Sequence, residues 1–465
     1  MPDLTGELRA AGLMPHQADF LTRFLAVDAP RYQQLTAPPG LGKTRLVGWL
    51  VRELVVAENR ALIIAPRFLV EQVAARCREE APGTRVVVLT KPIFRELVSS
   101  VPVGEAPWPA GAVFIASLQF VNESDVRQAI LQAEWGLLVV DDEHELLGRS
   151  GAIVKDLVTR GKVARALFLS GGEDATHIPW LGSDVRETRW TYSLMDWEGR
   201  PLVLPTLRRR KIIDYERGAD EQACVAKLLG FITSVRSQGN PVSEILASAT
   251  LSAASSSTSA LEQTLLRRRS RLTHQEPDAS WMDLSLAGED VSSGSKLPGA
   301  WSDLEAIAEL IECLDSVKTD GKSAALVSLL TSLKSRAMTR VCVFTQFLST
   351  ANYLAEAVEE AGLPVLLSWG GLPLEDRISL TATLAKEGGI FITTEAASPG
   401  LEEARVSIGI NYDLPRSLRL MDQRWARLYR LGDHRPITMY AMRDVSRSIG
   451  EENKVLQQFG FIPDN

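Results

Sequence analysis

Ala37-Pro-Pro-Gly40-Leu-Gly42-Lys43-Thr44 follows a short apolar start at Gln34-Leu35 and opens a helical pattern over Arg45–Leu54. Strand, glycine-containing loop and helix in that order are what a phosphate-binding loop requires. Gly40 and Gly42 let the backbone wrap closely around phosphate oxygens, and the following helix adds free N–H groups and the positive end of its dipole. Lys43 is placed to reach the β and γ phosphates of a nucleotide, and the Thr44 hydroxyl to ligate Mg²⁺. The strict pattern has Gly where Ala37 stands.

Outward from this loop, short apolar runs alternate with helical patterns. Ala61-Leu-Ile-Ile-Ala65, Arg85-Val-Val-Val-Leu89, Ala112-Val-Phe-Ile-Ala116, Gly136-Leu-Leu-Val-Val140 and Ala166-Leu-Phe-Leu169 read as strands. Strands apolar throughout and separated by helices predict a parallel sheet covered on both faces. One of them, Trp135-Gly-Leu-Leu-Val-Val140, ends in Asp141-Asp142-Glu143-His144. A nucleoside triphosphatase needs one carboxylate on the Mg²⁺ shell and another to orient the attacking water. Asp141, where the strand ends, is assigned to the metal. Either Asp142 or Glu143 serves as base, and a register shifted by one residue would put Asp142 on the metal.

The α/β alternation returns from about residue 301, with strands at Val341-Cys-Val-Phe344, Val365-Leu-Leu367, Gly389-Ile-Phe-Ile392, Val406-Ser-Ile-Gly-Ile410 and Ile437-Thr-Met-Tyr440. Between the two halves, residues 206–271 read as mostly helical, with a break at the Ser-rich stretch Ser252–Ser259. Residues 272–300 are rich in Ser, Gly, Asp and Pro and read as a loop or linker. The organisation expected is therefore α/β: a parallel-sheet lobe over 1–205, a small basic helical insert and linker over 206–300, and a second parallel-sheet lobe over 301–465.

Motifs along the chain resemble helicase-like proteins of superfamily two, and among these the Swi/Snf type. Asp141-Asp142-Glu143-His144 resembles a DEAH box with Asp in place of Glu at its second position. Asp320-Gly321-Lys322 and Arg340-Val-Cys-Val-Phe-Thr-Gln-Phe347 resemble the elements that open the second lobe, and Ser368-Trp-Gly-Gly371…Glu375-Asp-Arg377 a later one. Asn411-Tyr-Asp413-Leu-Pro415…Gln423-Arg424-Trp-Ala-Arg427-Leu-Tyr-Arg430-Leu-Gly432 resembles the stretch that carries the family's glutamine and paired arginines. Arg427 and Arg430, at i and i+3 on one helix face, are suited to neutralise γ-phosphate charge as the bond breaks.

The resemblance implies two RecA-like lobes and ATP as the nucleotide, bound with Mg²⁺ between Lys43 and Thr44 on one side and Arg427 and Arg430 on the other. Gln17, in Leu13-Met14-Pro15-His16-Gln17, is implied as the reader of adenine. Arg67 and Ser117 in the first lobe, and Gln346 and Thr394 in the second, are implied as contacts to a nucleic-acid backbone, with duplex DNA the favoured polymer. Leu169-Ser170-Gly171-Gly172-Glu173 stands where helicases carry a coupling motif, but lacks that motif's Thr-Pro half. Three activities follow as expectations: a DNA translocase, an ATPase that depends on a protein partner, and a nucleotide switch impaired in hydrolysis.

Bulk composition limits the alternatives. The 465 residues are enough for more than one core, and 45% apolar with 23% charged residues is ordinary for a globular protein. The net charge of −7 argues against a dedicated nucleic-acid coat, so targeting by a partner protein is expected. Residues 206–271 nevertheless hold eleven Lys/Arg against six Asp/Glu, a patch able to steer a polyanion. No stretch of about 18 apolar residues occurs, so no membrane span is expected. Nor does Met1-Pro2-Asp3-Leu4 open a secretory leader. Cys77, Cys224, Cys313 and Cys342 are far apart in sequence, which predicts no disulfide framework and no zinc site, and fits a reducing cytoplasm.

Overall fold

The apolar runs of the first half become one parallel sheet. The computed structural model describes the chain except for residues 1–3, 39, 56–58, 68, 103–104, 142–145, 147–150, 172–177, 182–184, 203–207, 238–240, 275–300, 318–319, 336–339, 395–400, 402–403, 416–417, 429–434, 447–451 and 463–465. Two units result, Met1–Pro205 and Thr206–Leu428 continued by Arg435–Asn465.

The first unit runs α1 (Leu4–Ala10), α2 (Pro15–Leu25), β1 (Tyr32–Thr36), α3 (Lys43–Leu54), β2 (Arg60–Ile64), α4 (Val70–Glu80), β3 (Arg85–Val88), α5 (Lys91–Ser99), β4 (Ala112–Ala116), α6 (Leu118–Val121), α7 (Ser124–Gln132), β5 (Trp135–Asp141), α8 (Ala152–Thr159), β6 (Val163–Ser170) and β7 (Val185–Arg189). The strands pair in parallel in the order β3-β4-β2-β5-β6-β1-β7. Central strands are buried along most of their length, whereas the edge strand β7, Val-Arg-Glu-Thr-Arg, exposes three of its five residues. Its polarity is why no apolar run marks it in the sequence. Trp108, Phe114 and Trp135 pack edge-on and tilted beside β4 and β5, with centroids 5.1–6.0 Å apart. Both indole N–H groups are satisfied, by Ala129 O at 2.9 Å and Ile130 O at 3.1 Å. Truncating one such ring to Ala costs about 3–5 kcal/mol.

The second unit runs β8 (Arg208–Tyr215), α9 (Ala219–Ser237), α10 (Pro241–Ser256), α11 (Thr258–His274), α12 (Trp301–Asp315), α13 (Gly321–Ser335), β9 (Arg340–Thr345), α14 (Leu348–Glu360), β10 (Val365–Ser368), α15 (Leu374–Glu387), β11 (Gly389–Thr394), β12 (Ile408–Asn411), α16 (Leu418–Leu428), β13 (Ile437–Asp444) and α17 (Glu452–Gln458). Its sheet is again parallel, in the order β10-β11-β9-β12-β13-β8. The fold is thus α/β with two parallel-sheet units, as the strand pattern predicts.

Three features depart from the sequence reading. The basic run Arg208–Lys211 is not helical but opens the edge strand β8, paired along its length with β13. An edge strand tolerates this because Arg209, Arg210, Lys211 and Asp214 are exposed while Tyr215 is buried. The helical part also extends past residue 300: Ile307, Leu310, Ile311 and Leu314 of α12 pack with α9, α10 and α11 around a core of their own. Their i, i+3, i+4, i+7 spacing makes one apolar stripe. Finally, Cys224 on α9 and Cys313 on α12 are joined by a disulfide across a separation of 89 residues, with Cα atoms 5.7 Å apart. Sequence distance hid a pair that helix packing brings together.

Candidate nucleotide site

In the first unit β1 lies between β6 and β7, and the loop after it leads straight into α3. Gly40 and Gly42 take φ of +85° and +82°, a left-handed backbone that residues with a Cβ rarely adopt. Gly42 caps α3, and its carbonyl accepts from Leu46 N at 3.1 Å. At the other end Ala37 N donates to Ser170 O at 3.0 Å, tying the loop to the end of β6. Lys43 opens the helix and its ammonium donates back to Ala37 O, while Thr44 follows, half-buried.

Asp141 ends β5 at the same carboxyl edge of the sheet. Asp141 and Leu35 both pair with Leu169, so β6 alone separates them, a span of about 10 Å between strands. Ligands of open parallel sheets bind at this edge. Asp142 and Glu143 lie outside the described residues.

The element preceding β1 packs directly onto the loop. Gln17 is buried, accepts from Met14 N at 2.9 Å through Oε1, and donates through Nε2 to Leu41 O and Gly42 O, 3.4 Å from each. His16 Nε2 donates to Leu41 O at 3.2 Å, and its ring meets Trp190 edge-on at 4.5 Å. Burial lowers the His16 pKa from 6.5 to about 4, with the Leu41 bond opposing, so the imidazole is neutral at neutral pH.

Arg67 lies exposed just beyond β2, and Ser117 just beyond the neighbouring β4. Ser117 is nearly buried, and its hydroxyl accepts from Phe120 N at 3.3 Å as the cap of α6.

In the second unit the equivalent positions also share an edge, since Thr394 of β11 pairs with Thr345, which precedes Gln346. The Gln346 backbone N–H donates to Asp413 Oδ2 at 2.8 Å and its side chain to Leu414 O at 3.1 Å. On α16, Gln423 and Arg427 are half-buried and four residues apart, hence on one face. Between them Arg424 is buried beneath the helix, donating to Asn411 Oδ1 at 2.7 Å and Asp413 O at 2.6 Å beside the Phe344 ring. Arg424 therefore anchors the helix to the end of β12. Arg430 lies outside the described residues. Sequence reasoning left Lys322 and Asp413 without a role, yet they form a buried ion pair at 3.4 Å. The signal available was a lysine opening an apolar helix and an aspartate ending an apolar strand.

Comparison with known proteins bears on this geometry. Residues 321–432 match the family described as helicase conserved C-terminal domain. An RNA polymerase-associated protein RapA of Vibrio campbellii is 24% identical over 505 aligned residues, covering 94% of this chain and 49% of that protein. The chain thus spans about half the length of that relative. An uncharacterized ATP-dependent helicase, YqhH of Bacillus subtilis, is 26% identical over 140 residues, 30% of this chain and 24% of that protein. Among solved structures, the Pyrococcus furiosus Hef helicase domain superposes with a TM-score of 0.51 at 16% identity, covering 97% of this chain and 98% of that one. Dbp5 of S. cerevisiae bound to RNA and ADP BeF3 gives 0.52 at 15%, covering 100% and 92%.

The chain carries a helicase C-terminal domain and is similar to RapA and to helicase structures over most of its length. The helicase C-terminal match begins at Gly321 of α13 and takes in β9 to β12 and α16. Its two parallel sheets are the two RecA-like lobes that the Swi/Snf resemblance implies. Among the described residues, no helix is long and apolar enough to cross a membrane.

Proposed function

We propose that this chain is an ATP-driven motor that moves along duplex DNA, serving as a subunit of a bacterial DNA-processing or defence system whose targeting is supplied by a protein partner. The observation that carries the proposal is the loop after β1 and Asp141 at one carboxyl edge of a parallel sheet, in a chain that also has a helicase C-terminal domain.

ATP with Mg²⁺ fits the residues of the first unit: two left-handed glycines, a helix N-terminus, a hydroxyl on its first turn and a carboxylate across β6. Thr44 and Asp141 would hold Mg²⁺, which supplies neutralisation of phosphate charge when bound. Lys43 leaves the Ala37 carbonyl for the β and γ phosphates. Gln17 reads adenine, and Asp142 or Glu143 takes the proton of the attacking water. Gln423, Arg427 and Arg430 serve the γ-phosphate from the second unit. Arg67, Ser117, Gln346 and Thr394 track the polymer backbone, so sequence preference is low. The name of the RapA relative supports a protein partner, and the RNA-bound and ADP BeF3-bound Dbp5 structure supports nucleotide and nucleic acid on this fold. We place the chain in the cytoplasm, where reducing conditions would hold Cys224 and Cys313 as thiols until the chain meets an oxidant.

The test is phosphate release with no polymer, with duplex DNA, with single-stranded DNA and with RNA, using Lys43→Ala as blank. Strong stimulation by duplex DNA, absent from the blank, is the expected result. Asp142→Asn against Glu143→Gln then identifies the base. Release no greater than the blank in every arm would overturn the autonomous motor and leave a partner-dependent ATPase or a nucleotide switch, the latter motivated by Asp142 in place of Glu.

A further inference from the structure

A carboxylate, an ammonium and four hydroxyls meet out of water in the second unit. Asp413 Oδ2 accepts from Thr345 Oγ1 at 2.6 Å, Gln346 N at 2.8 Å and Ser256 Oγ at 2.9 Å. Lys322 Nζ faces Asp413 Oδ1 at 3.4 Å and donates to the carbonyls of Ser255 at 2.5 Å and Ser256 at 3.3 Å. The ammonium also sits 4.3 Å from the centroid of the Tyr412 ring. Thr350 of α14 closes the group, its hydroxyl 2.7 Å from those of both Ser256 and Ser257. Lys322, Asp413, Ser256, Ser257, Thr345 and Thr350 are all buried.

The connectivity has a direction. Ser255–Ser257 is the elbow between α10 and α11, that is, the Ser-rich break of the helical group. Asp413 follows β12, and the turn it holds carries Gln346. The neighbour of Lys322 is bound to the helical group as well: Gly321 N donates to Glu221 Oε2 of α9 at 2.9 Å, and a Cβ at Gly321 would meet Glu216 O at 2.1 Å. A buried ion pair adds little net stability over apolar packing of the same volume, but it fixes one arrangement of the parts it joins. Fully satisfied buried networks likewise rigidify what they connect.

We propose that this cluster is a positioning device: the Ser255–Ser257 elbow, acting through Asp413 and Lys322, sets the turn that carries Gln346 and with it the second unit's hold on nucleic acid. The proposal rests on the nucleic-acid function proposed above. Ser256 shares Oδ2 of Asp413 with the Gln346 N–H, so loss of its hydroxyl reaches the turn without touching any group that meets the polymer.

The test compares the full chain with Ser256→Ala, and with Thr350→Val as a second variant from the other side of the cluster. Hydrogen exchange at the Gln346 amide reads the turn with no polymer present. Binding of a fluorescein-labelled DNA duplex, followed by anisotropy, reads the hold. About three- to tenfold faster exchange and three- to tenfold weaker duplex binding are expected, with maximal turnover at saturating duplex preserved; this is the factor one hydrogen bond is worth. Unchanged exchange in both variants would overturn the coupling of elbow to turn. Faster exchange with unchanged binding would overturn its role in holding the polymer. Failure of the unaltered chain to bind duplex, single strand or RNA would overturn the nucleic-acid function itself, and the exchange arm would still decide whether the elbow sets the turn.

Discussion

Gln17 Nε2 lies 3.4 Å from the carbonyl of Gly42, the residue that caps α3. The residue implied as reader of adenine is thus in direct contact with the loop implied as holder of phosphate. Its 2.9 Å bond from Met14 N is of ordinary length, and the two bonds to the loop are long. Gln17→Ala should cost about 1–2 kcal/mol of stability from these bonds and raise the ATP concentration needed for half-maximal turnover. Melting curves and an ATP titration check both. A higher half-saturation with unchanged melting would mean that only the base contact matters.

His16 gives a pH dependence of definite sign. The unfolded chain takes a proton at this residue near pH 6.5, whereas the folded chain refuses it until about pH 4. Unfolding therefore takes up a proton in that window, and stability falls as the pH drops from 6.5 towards 4. Above pH 6.5 the imidazole is neutral in both states and contributes no slope. In His16→Gln the difference in melting temperature from the parent should be smaller at pH 5 than at pH 8. An equal difference at both values would show that His16 does not titrate this way.

Arg217 and Asp444 form a second buried pair, Nε to Oδ2 at 2.6 Å, joining the start of the helical group to the end of β13. Asp444 also caps the following turn, accepting from Ser446 N at 2.9 Å and Ser446 Oγ at 2.6 Å. Asp444→Ala leaves the guanidinium buried without its carboxylate and should destabilise by about 3–5 kcal/mol. Adding Arg217→Met to that variant should recover part of the loss in denaturant melts. A double variant as unstable as the sum of the singles would refute coupling.

The disulfide predicts a thiol count. Cys77 and Cys342 are free and buried, and burial pushes both thiols up, Cys77 to about 12. Oxidised chain should show two reactive thiols on unfolding without reductant and four with it, the added pair being Cys224 and Cys313. Opening the bond should lower stability by about 2–4 kcal/mol, since it closes a long loop. Four thiols in oxidised chain would mean the pair is not bonded.

The local patterns in the chain were sufficient for much of this. Strands such as Leu137–Val140 and Val341–Phe344 announce themselves because a strand covered on both faces is apolar at every position. The loop after β1 does so because Gly40 and Gly42 supply its left-handed backbone and Lys43-Thr44 open α3, all within one short stretch of chain. β7 and β8 were invisible because edge strands need no continuous apolar run. Arg424 looked in sequence like its neighbours on α16, and only burial sets it apart as an anchor.

Sequence by itself therefore determined the α/β class, the two parallel-sheet units and the loop, all of which depend on residues adjacent in the chain. Only the tertiary structure decided the pairing of Cys224 with Cys313, the contact of Gln17 with the loop, and the cluster of Lys322 and Asp413 with the Ser255–Ser257 elbow. Those depend on distances between residues 24 to 157 positions apart, which packing sets and periodicity does not carry.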